Sequence, residues 1–355
     1  MNPLSKSPAR TPNRRRGMLK AFAGLAVGGV ALSAGAGLFV ERRGSLYEVR
    51  QERTLMQTSV AVNCLSSDLA HARFAIGQAY ARMAETASIL TRFDPRSPLS
   101  ALNRRGRLAD PPPRLREVLE HALRLSRITG GAFDATVLPV LSCVESFPEP
   151  VVLTGADRGD IAAAKRLVNY RDVELGERHV ALRRAGMAVT LDGIAKGYVV
   201  DQGIAALKQA GIEYGLVDAG GDVQAFSGSD PNRHWNVGIV DPANVDEVAE
   251  VVQLRNGALS TSGNYRIFYS SDRSLFHIID PGSGYSPQAY SSVTVLAHKS
   301  VIADGMSTGS FSLALGDLAD LMVDQGHQWL VFSRDTKRRW RSRGLPLISG
   351  RAEVL

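Results

Sequence analysis

A chain of 355 residues, 44% apolar and 22% charged, has the length for a sizeable core and a globular composition, which excludes disordered and fibrous classes. Of the formal charge of +7, +6 sits in the first 40 residues, which hold six basic side chains and no acid, leaving 36 basic against 35 acidic residues in the remainder. The body therefore lacks an electrostatic footprint for nucleic acid, and two cysteines, Cys64 and Cys143, are too few for a disulfide framework.

Residues 1–13 are polar and read as disordered. Arg14-Arg15-Arg16-Gly17-Met18-Leu19-Lys20 then precedes an uncharged, Gly- and Ala-rich run over 21–40. A basic segment before an apolar run has the form of an export signal, and Arg15-Arg16 followed by Met18-Leu19-Lys20 resembles a twin-arginine signal. Ala34-Gly35-Ala36 is a candidate cleavage site; a permanent anchor of about 20 residues is the alternative. Both place the body outside the cytoplasm, periplasmic or extracytoplasmic. Residues 41–54 read as a charged lead-in, and 55–355 as one compact unit. The two cysteines read as buried thiols, with one bridge as the alternative.

Residues 55–64 interleave β-branched and polar side chains and predict a strand. Residues 68–93 carry Ile76, Tyr80, Met83, Ala87 and Leu90 at helical spacing, with Asp68 placed to cap. A loop over 93–98, a helical turn at 100–103 and a second amphipathic helix over 114–129 follow. Gly130-Gly131 ends that helix. Residues 143–160 show no clear pattern, and 161–168 reads as helix. Short strands are expected at 171–175, 180–183 and 188–191, a helix at 198–209 and a buried strand at 214–218. Further strands are expected at 235–240, 248–254, 258–268, 274–280 and 293–297, and two helices over 303–315 and 316–326. Helices and strands mix without strict alternation, which predicts an α/β fold of the mixed α+β kind.

One stretch organises the candidate chemistry: Thr190-Leu191-Asp192-Gly193-Ile194-Ala195-Lys196-Gly197-Tyr198. It joins a β-like run to a helix. Its glycines permit close approach, the helix aims free N–H groups back at the turn, and Lys196 adds a charge. That is an anion site in form, with an ordinary strand–turn–helix joint as the competing explanation. Gly131-Ala132-Phe133-Asp134 offers an aromatic and a carboxylate, or merely a helix stop and a core Phe. Asp218-Ala219-Gly220-Gly221-Asp222 permits a tight turn in which Asp222 could bind metal, ribose or backbone. Ser260-Thr261-Ser262 supplies hydroxyls suited to phosphate oxygens, a dozen residues before His277. Asp304 and Thr308, four apart, share a helix face and suit a hard cation such as Mg²⁺; an Asp cap is the plain alternative.

In this order the stretches resemble the ApbE family, flavin transferases that move FMN from FAD to a protein threonine. Leu55-Met56-Gln57-Thr58 looks like the family's Met-Gly-Thr opening, with Gln57 in place of Gly. The segment from Phe93 to Asn103, Gly131-Ala132-Phe133-Asp134, Gly193-Ile194-Ala195-Lys196-Gly197-Tyr198 and Gly220-Gly221-Asp222 match further family elements. Thr261-Ser262-Gly263-Asn264-Tyr265, His277-Ile278-Ile279-Asp280-Pro281 and Ala303-Asp304-x-x-x-Thr308 complete the series. The resemblance implies that Met56, Phe93, Ala132, Phe133, Asp134, Lys196 and Ile278 line the site for FAD, the substrate. It implies Mg²⁺ held by the Gly193 carbonyl with Asp304 and Thr308, and His277 near the pyrophosphate. The partner it implies is an acceptor protein with a threonine flavinylation site, expected to be membrane-bound. The family's FAD-contacting Asp is replaced by Thr190, and a carboxylate stands at Asp192, which on a strand would share the face of Thr190 and could substitute. This form of the motif looks like an exported branch linked to nitrous oxide respiration. His277 and Asp304 are both candidates for the base that takes the threonine proton. An Mg²⁺-dependent FAD pyrophosphatase and a non-catalytic FAD-binding assembly protein are the alternatives.

Overall fold

The computed structural model describes residues 37–148, 151–349 and 352–355. The basic segment 14–20, the apolar residues 21–36 and Ala34-Gly35-Ala36 lie outside them. The elements below are those of the described residues, among which no helix is long and apolar enough to cross a membrane.

In chain order they are strands β1 (Leu38–Arg43), β2 (Leu46–Leu55) and β3 (Thr58–Ser66), helices α1 (Leu69–Leu90) and α2 (Pro98–Arg105), β4 (Arg107–Ala109) and α3 (Pro113–Ile128). Then come α4 (Leu138–Ser146), α5 (Gly155–Lys165), β5 (Val173–Leu175), β6 (His179–Leu182), α6 (Ala195–Gln209), β7 (Tyr214–Asp218) and β8 (Asp222–Ser227). The last third holds β9 (Trp235–Asp241), β10 (Asn244–Leu254), β11 (Gly257–Gly263), β12 (Tyr290–Ala297), α7 (Ser300–Ser310), α8 (Leu315–Asp324) and β13 (Gln328–Ser333). Three short strands close it: β14 (Arg339–Arg341), β15 (Leu347–Ser349) and β16 (Glu353–Val354).

Ten strands form one sheet in the order β1-β2-β3-β7-β8-β11-β12-β13-β14-β16. Every neighbouring pair is antiparallel except β14 with β16. The expected mixture of helix and strand is therefore present, in its α+β form, since antiparallel pairs need no crossover helix. The sheet is buried on both faces. Trp329 and Val331 of β13 join the main core with α1, α6 and α7, while Leu330 and Phe332 pack toward Ile239 and Val252 of the small sheet β15-β10-β9. Strand alternation produces this division directly.

Local sequence explains the long helices. Asp68 Oδ1 accepts the N–H groups of Ala70 (2.8 Å) and His71 (3.1 Å) and starts α1. Ala72, Ala75, Ile76, Ala79, Tyr80 and Met83 form its buried stripe. The hydroxyl of Ser97 caps α2 at Ser100 N (3.0 Å).

Several expectations change. The segment 41–54 is not a lead-in: it completes β1 and forms β2, which pairs with β3 along its whole length. The last residues of the apolar run, Leu38 to Val40, are exposed on β1. The strand expected over 55–64 is cut by a two-residue turn in which Met56 and Gln57 have φ of 51° and 59°, the paired positive φ of a type I′ hairpin. The patternless 143–160 holds the end of α4 and the start of α5; Thr154 and Asp157 cap α5 reciprocally. Residues 188–191 and 274–280 form no named strand. In the first, Asn103 accepts Val189 N (2.7 Å) and donates to Val189 O (2.8 Å), a side chain taking the part of a neighbouring strand. The second pairs only briefly with residues 267–270, through an isolated antiparallel bridge between Phe268 and Phe276, and Ser286 accepts Phe276 N and donates to Phe276 O, both at 2.8 Å. Both cysteines are free, Cys64 fully buried and Cys143 partly so.

Candidate active site

The site forms where the first turn of α6 meets the middle of α7. Gly197 makes that approach possible: a Cβ there would lie 2.3 Å from the Ser300 carbonyl oxygen and 2.8 Å from Asp304 Cβ. The Gly197 N–H, one of the free donors of the first turn of α6, donates to Asp304 Oδ2 (2.9 Å). Gly193 is held as tightly, since a Cβ on it would stand 2.8 Å from Thr308 Cγ2 and 3.1 Å from Thr308 Oγ1. The turn at Gly193 thus meets Thr308, and the first turn of α6 meets Asp304, both on α7.

Lys196 forms an ion pair with Asp222, which is 2% exposed, while the lysine side chain keeps 35% of its exposure. Burial alone would lower the lysine pKa; Asp222, then Asp304, outweigh it and hold the ammonium charged. Asp304 is pushed up, first by burial and next by the charge of Asp222, against the opposing pull of Lys196 and the Gly197 N–H. Lys196 thus lies between two buried carboxylates, with the charge of Arg266 also felt there. The carboxylate of Asp304, the carbonyl of Gly193 and the hydroxyl of Thr308 are a hard, oxygen-only donor set, which fits Mg²⁺. Among the described residues no group of three His, Cys, Asp or Glu side chains is placed to hold a metal ion, and Mg²⁺ commonly takes only one or two protein carboxylates.

The remaining expected residues divide. Phe133 is buried against α7, where a Cβ on Gly309 would meet its Cβ at 2.8 Å, and Ala132 beside it is half-buried. Asp134 is committed to the fold. Its Oδ1 accepts the N–H (2.8 Å) and hydroxyl (2.6 Å) of Thr136, and its Oδ2 accepts Tyr170 N (2.9 Å). Met56 is half-buried at its hairpin turn. That hairpin abuts the Gly220-Gly221-Asp222 turn: a Cβ on Gly220 would lie 2.5 Å from Thr58 Oγ1. Phe93 is 62% exposed with the Arg92 guanidinium 4.3 Å from its ring centre. Ile278 is buried.

Thr190 is buried, donates its N–H to Ala135 O (2.8 Å) and accepts Asp192 N at its hydroxyl (3.1 Å). Asp192 lies in the turn, not on a strand, so the two do not alternate on one face; its carboxylate accepts Arg92 Nε (2.7 Å). His277 lies outside any strand, and its Nδ1 faces the Ile267 carbonyl (3.5 Å). Burial depresses its pKa to about 4, with Lys196 adding to the fall. The imidazole is neutral at pH 7.

Sequence reasoning missed Asp201 and Arg92 and gave Ser262 a different role. Asp201 of α6 caps α7, accepting Ser300 N (2.8 Å) and Val301 N (3.0 Å) and so fixing the helix that carries Asp304. Ser262 bonds the hydroxyls of Ser307 (2.8 Å) and Thr308 (3.1 Å), so the hydroxyl cluster steadies α7. Arg92 bridges Asp192 and Glu145. The partners of Asp201 lie 99 and 100 residues away, and no local signal marks such a cap.

Comparison with known proteins gives the family. Proteins named FAD:protein FMN transferase from Haemophilus influenzae and Treponema pallidum are each 33% identical to the chain. The matches run over 224 residues (61% of this chain, 64% of the relative) and 216 residues (55% and 59%). The chain thus spans less than two thirds of these relatives' length. The crystal structure of the ApbE protein from Thermotoga maritima superposes with a TM-score of 0.75 at 26% identity, covering 83% of this chain and 97% of that one. The flavin transferase ApbE from Vibrio cholerae, at 24% identity and a TM-score of 0.71 over the same shares, has the same fold. A sequence model of the ApbE family matches residues 56–331, a span that includes every residue placed above from the Met56 turn to Thr308 on α7, and the chain belongs to the ApbE family.

Proposed function

We propose that this protein transfers FMN from FAD to a threonine hydroxyl of an acceptor protein and releases AMP. The observation that carries the reading is the meeting of the α6 turn with α7, which sets Lys196, Asp304 and Thr308 around one oxygen-rich, electron-rich centre. The names of the relatives point the same way.

The threonine oxygen attacks the FMN-side phosphorus as the bond from that phosphorus to the bridging oxygen breaks. AMP leaves with the bridging oxygen, and the hydroxyl proton passes to a base. Such a transfer needs alignment and charge neutralisation more than covalent help. Lys196, kept charged by Asp222, supplies fixed positive charge for the pyrophosphate. His277 is the better base. Its Nδ1 hydrogen faces a carbonyl, which leaves the Nε2 lone pair of a neutral ring to take the proton. Mg²⁺, held by Asp304, Thr308 and the Gly193 carbonyl, would neutralise phosphate charge when bound.

We place the reaction outside the cytoplasm on the strength of the twin-arginine-like Arg15-Arg16 segment, with a membrane-bound redox protein as acceptor. The test is incubation with FAD, Mg²⁺ and a threonine-containing acceptor domain, read by in-gel flavin fluorescence and chromatography of products. Covalent flavin on the acceptor with equimolar AMP is expected. Free FMN and AMP without acceptor would replace the reading by a pyrophosphatase, and unchanged FAD by a non-catalytic binder.

A further inference from the structure

We propose that Arg92 is a positioning residue that presents the Phe93 ring as a stacking platform for one ring system of FAD, with Asp192 as a counter-ion; the inference rests on the transferase reading.

Arg92 follows the end of α1 and ties three segments together. Its Nε donates to Asp192 Oδ2 (2.7 Å), in the turn that enters α6. Its Nη2 and Nη1 donate to Glu145 Oε1 (2.7 Å) and Oε2 (3.1 Å), at the end of α4. A bidentate fork of this kind fixes the plane of the guanidinium as well as its place. The cation lies 4.3 Å from the centre of the Phe93 ring, a cation–π separation. Arg92 is 12% exposed at its side chain and Phe93 62%. A large aromatic left that open is not held by burial, so the guanidinium behind it is what orients it. The outer face stays available, and an aromatic with one face held and one open is pre-organised for stacking.

The same geometry accounts for Thr190 and Asp192. The Thr190 hydroxyl accepts Asp192 N (3.1 Å), and the Asp192 carboxylate meets Arg92. One carboxylate oxygen of Asp192, Oδ2, is taken by the guanidinium, which ties Asp192 to the placement of Arg92. Because Asp192 precedes Gly193, the ion pair also steadies the turn packed on Thr308.

The test uses the full chain, with FAD binding followed by flavin fluorescence, and FMN and ADP, the two halves of the dinucleotide, measured by competition. Arg92→Gln is expected to weaken FAD about tenfold, through a loss in either FMN or ADP affinity alone, whichever ring stacks on Phe93. Asp192→Asn, a milder change that keeps the fork to Glu145, is expected to shift the same half by a smaller factor. Arg92→Lys, a point charge without the fork, should fall between Arg92→Gln and the natural chain. Unchanged FAD affinity in Arg92→Gln would overturn the proposal. So would a parallel loss of FMN and ADP, which would make Arg92 a general structural support. An Asp192→Asn loss larger than that of Arg92→Gln would instead make Asp192 the contact. If the unaltered chain binds no FAD, the transferase reading falls and this one with it; if it binds FAD and only the Arg92 predictions fail, the transferase reading stands.

Discussion

Gly197→Ala is the sharpest test of how the site is built. The added methyl would sit 2.3 Å from the Ser300 carbonyl oxygen and 2.6 Å from its carbon, both backbone atoms that no rotamer change can move. Restoring ordinary contact requires α6 and α7 to part by roughly 1 Å, and overpacking of this kind costs about 1–3 kcal/mol. The parting also stretches the Gly197 N–H bond to Asp304 (2.9 Å), and a bond to a charged group contributes about 1.5–3 kcal/mol. A helix-propensity gain of under about 1 kcal/mol offsets part of this. The net loss is about 3–4 kcal/mol, which for a chain of this size lowers the melting midpoint by roughly 4–5 °C. Gly203→Ala on the same helix is the control. Its methyl meets Met83 Sδ at 2.7 Å, the mobile end of a flexible side chain, and no backbone. It should stay within about 1 kcal/mol of the natural chain. Thermal unfolding of the two variants side by side is the assay. Equal midpoints would refute the claim that backbone-to-helix contact at Gly197 sets the geometry.

Three further outcomes are expected. Asp304→Asn should abolish Mg²⁺-dependent transfer yet raise the melting midpoint without metal, because burial and Asp222 both act against its charge; unchanged metal dependence by calorimetry would remove Asp304 from the metal set. Gln57→Gly should stabilise the chain by about 1 kcal/mol in denaturant unfolding, since Gln57 has a φ of 59° that glycine adopts without strain. His277, with a folded pKa near 4 against an ordinary 6.5, favours the fold when neutral. Its contribution is complete above the unfolded pKa and is lost as pH falls from there through about 4. His277→Gln should flatten stability across that window, and an imidazole signal titrating near 6.5 in the folded protein would contradict the burial argument.

Much was legible in the residues because it depends on neighbours in the chain. The Asp68 cap and the stripe of α1, the α3 helix after its prolines and the β7 strand all follow from local periodicity and capping. So does the placement of Asp304 and Thr308 on one face of α7, since four residues make about one helical turn. The order of the glycine-bearing stretches sufficed for the family. The hairpin at Met56-Gln57 was not legible, because neither residue advertises a positive φ. Nor was the state of residues 188–191 and 274–280. Their pattern reads as strand, and how much of that backbone is taken by Asn103 and Ser286 and how much by a neighbouring segment depends on where distant residues come to rest. The site divides in the same way. Sequence determined which residues could bind phosphate and metal. Only the tertiary structure decided that Asp134 is consumed by Thr136 and Tyr170, that Asp222 keeps Lys196 charged, and that Asp192 belongs to Arg92. Charge and hydrogen-bond partnership are set by distance in space, and these pairs stand from 2 to 100 residues apart in the chain.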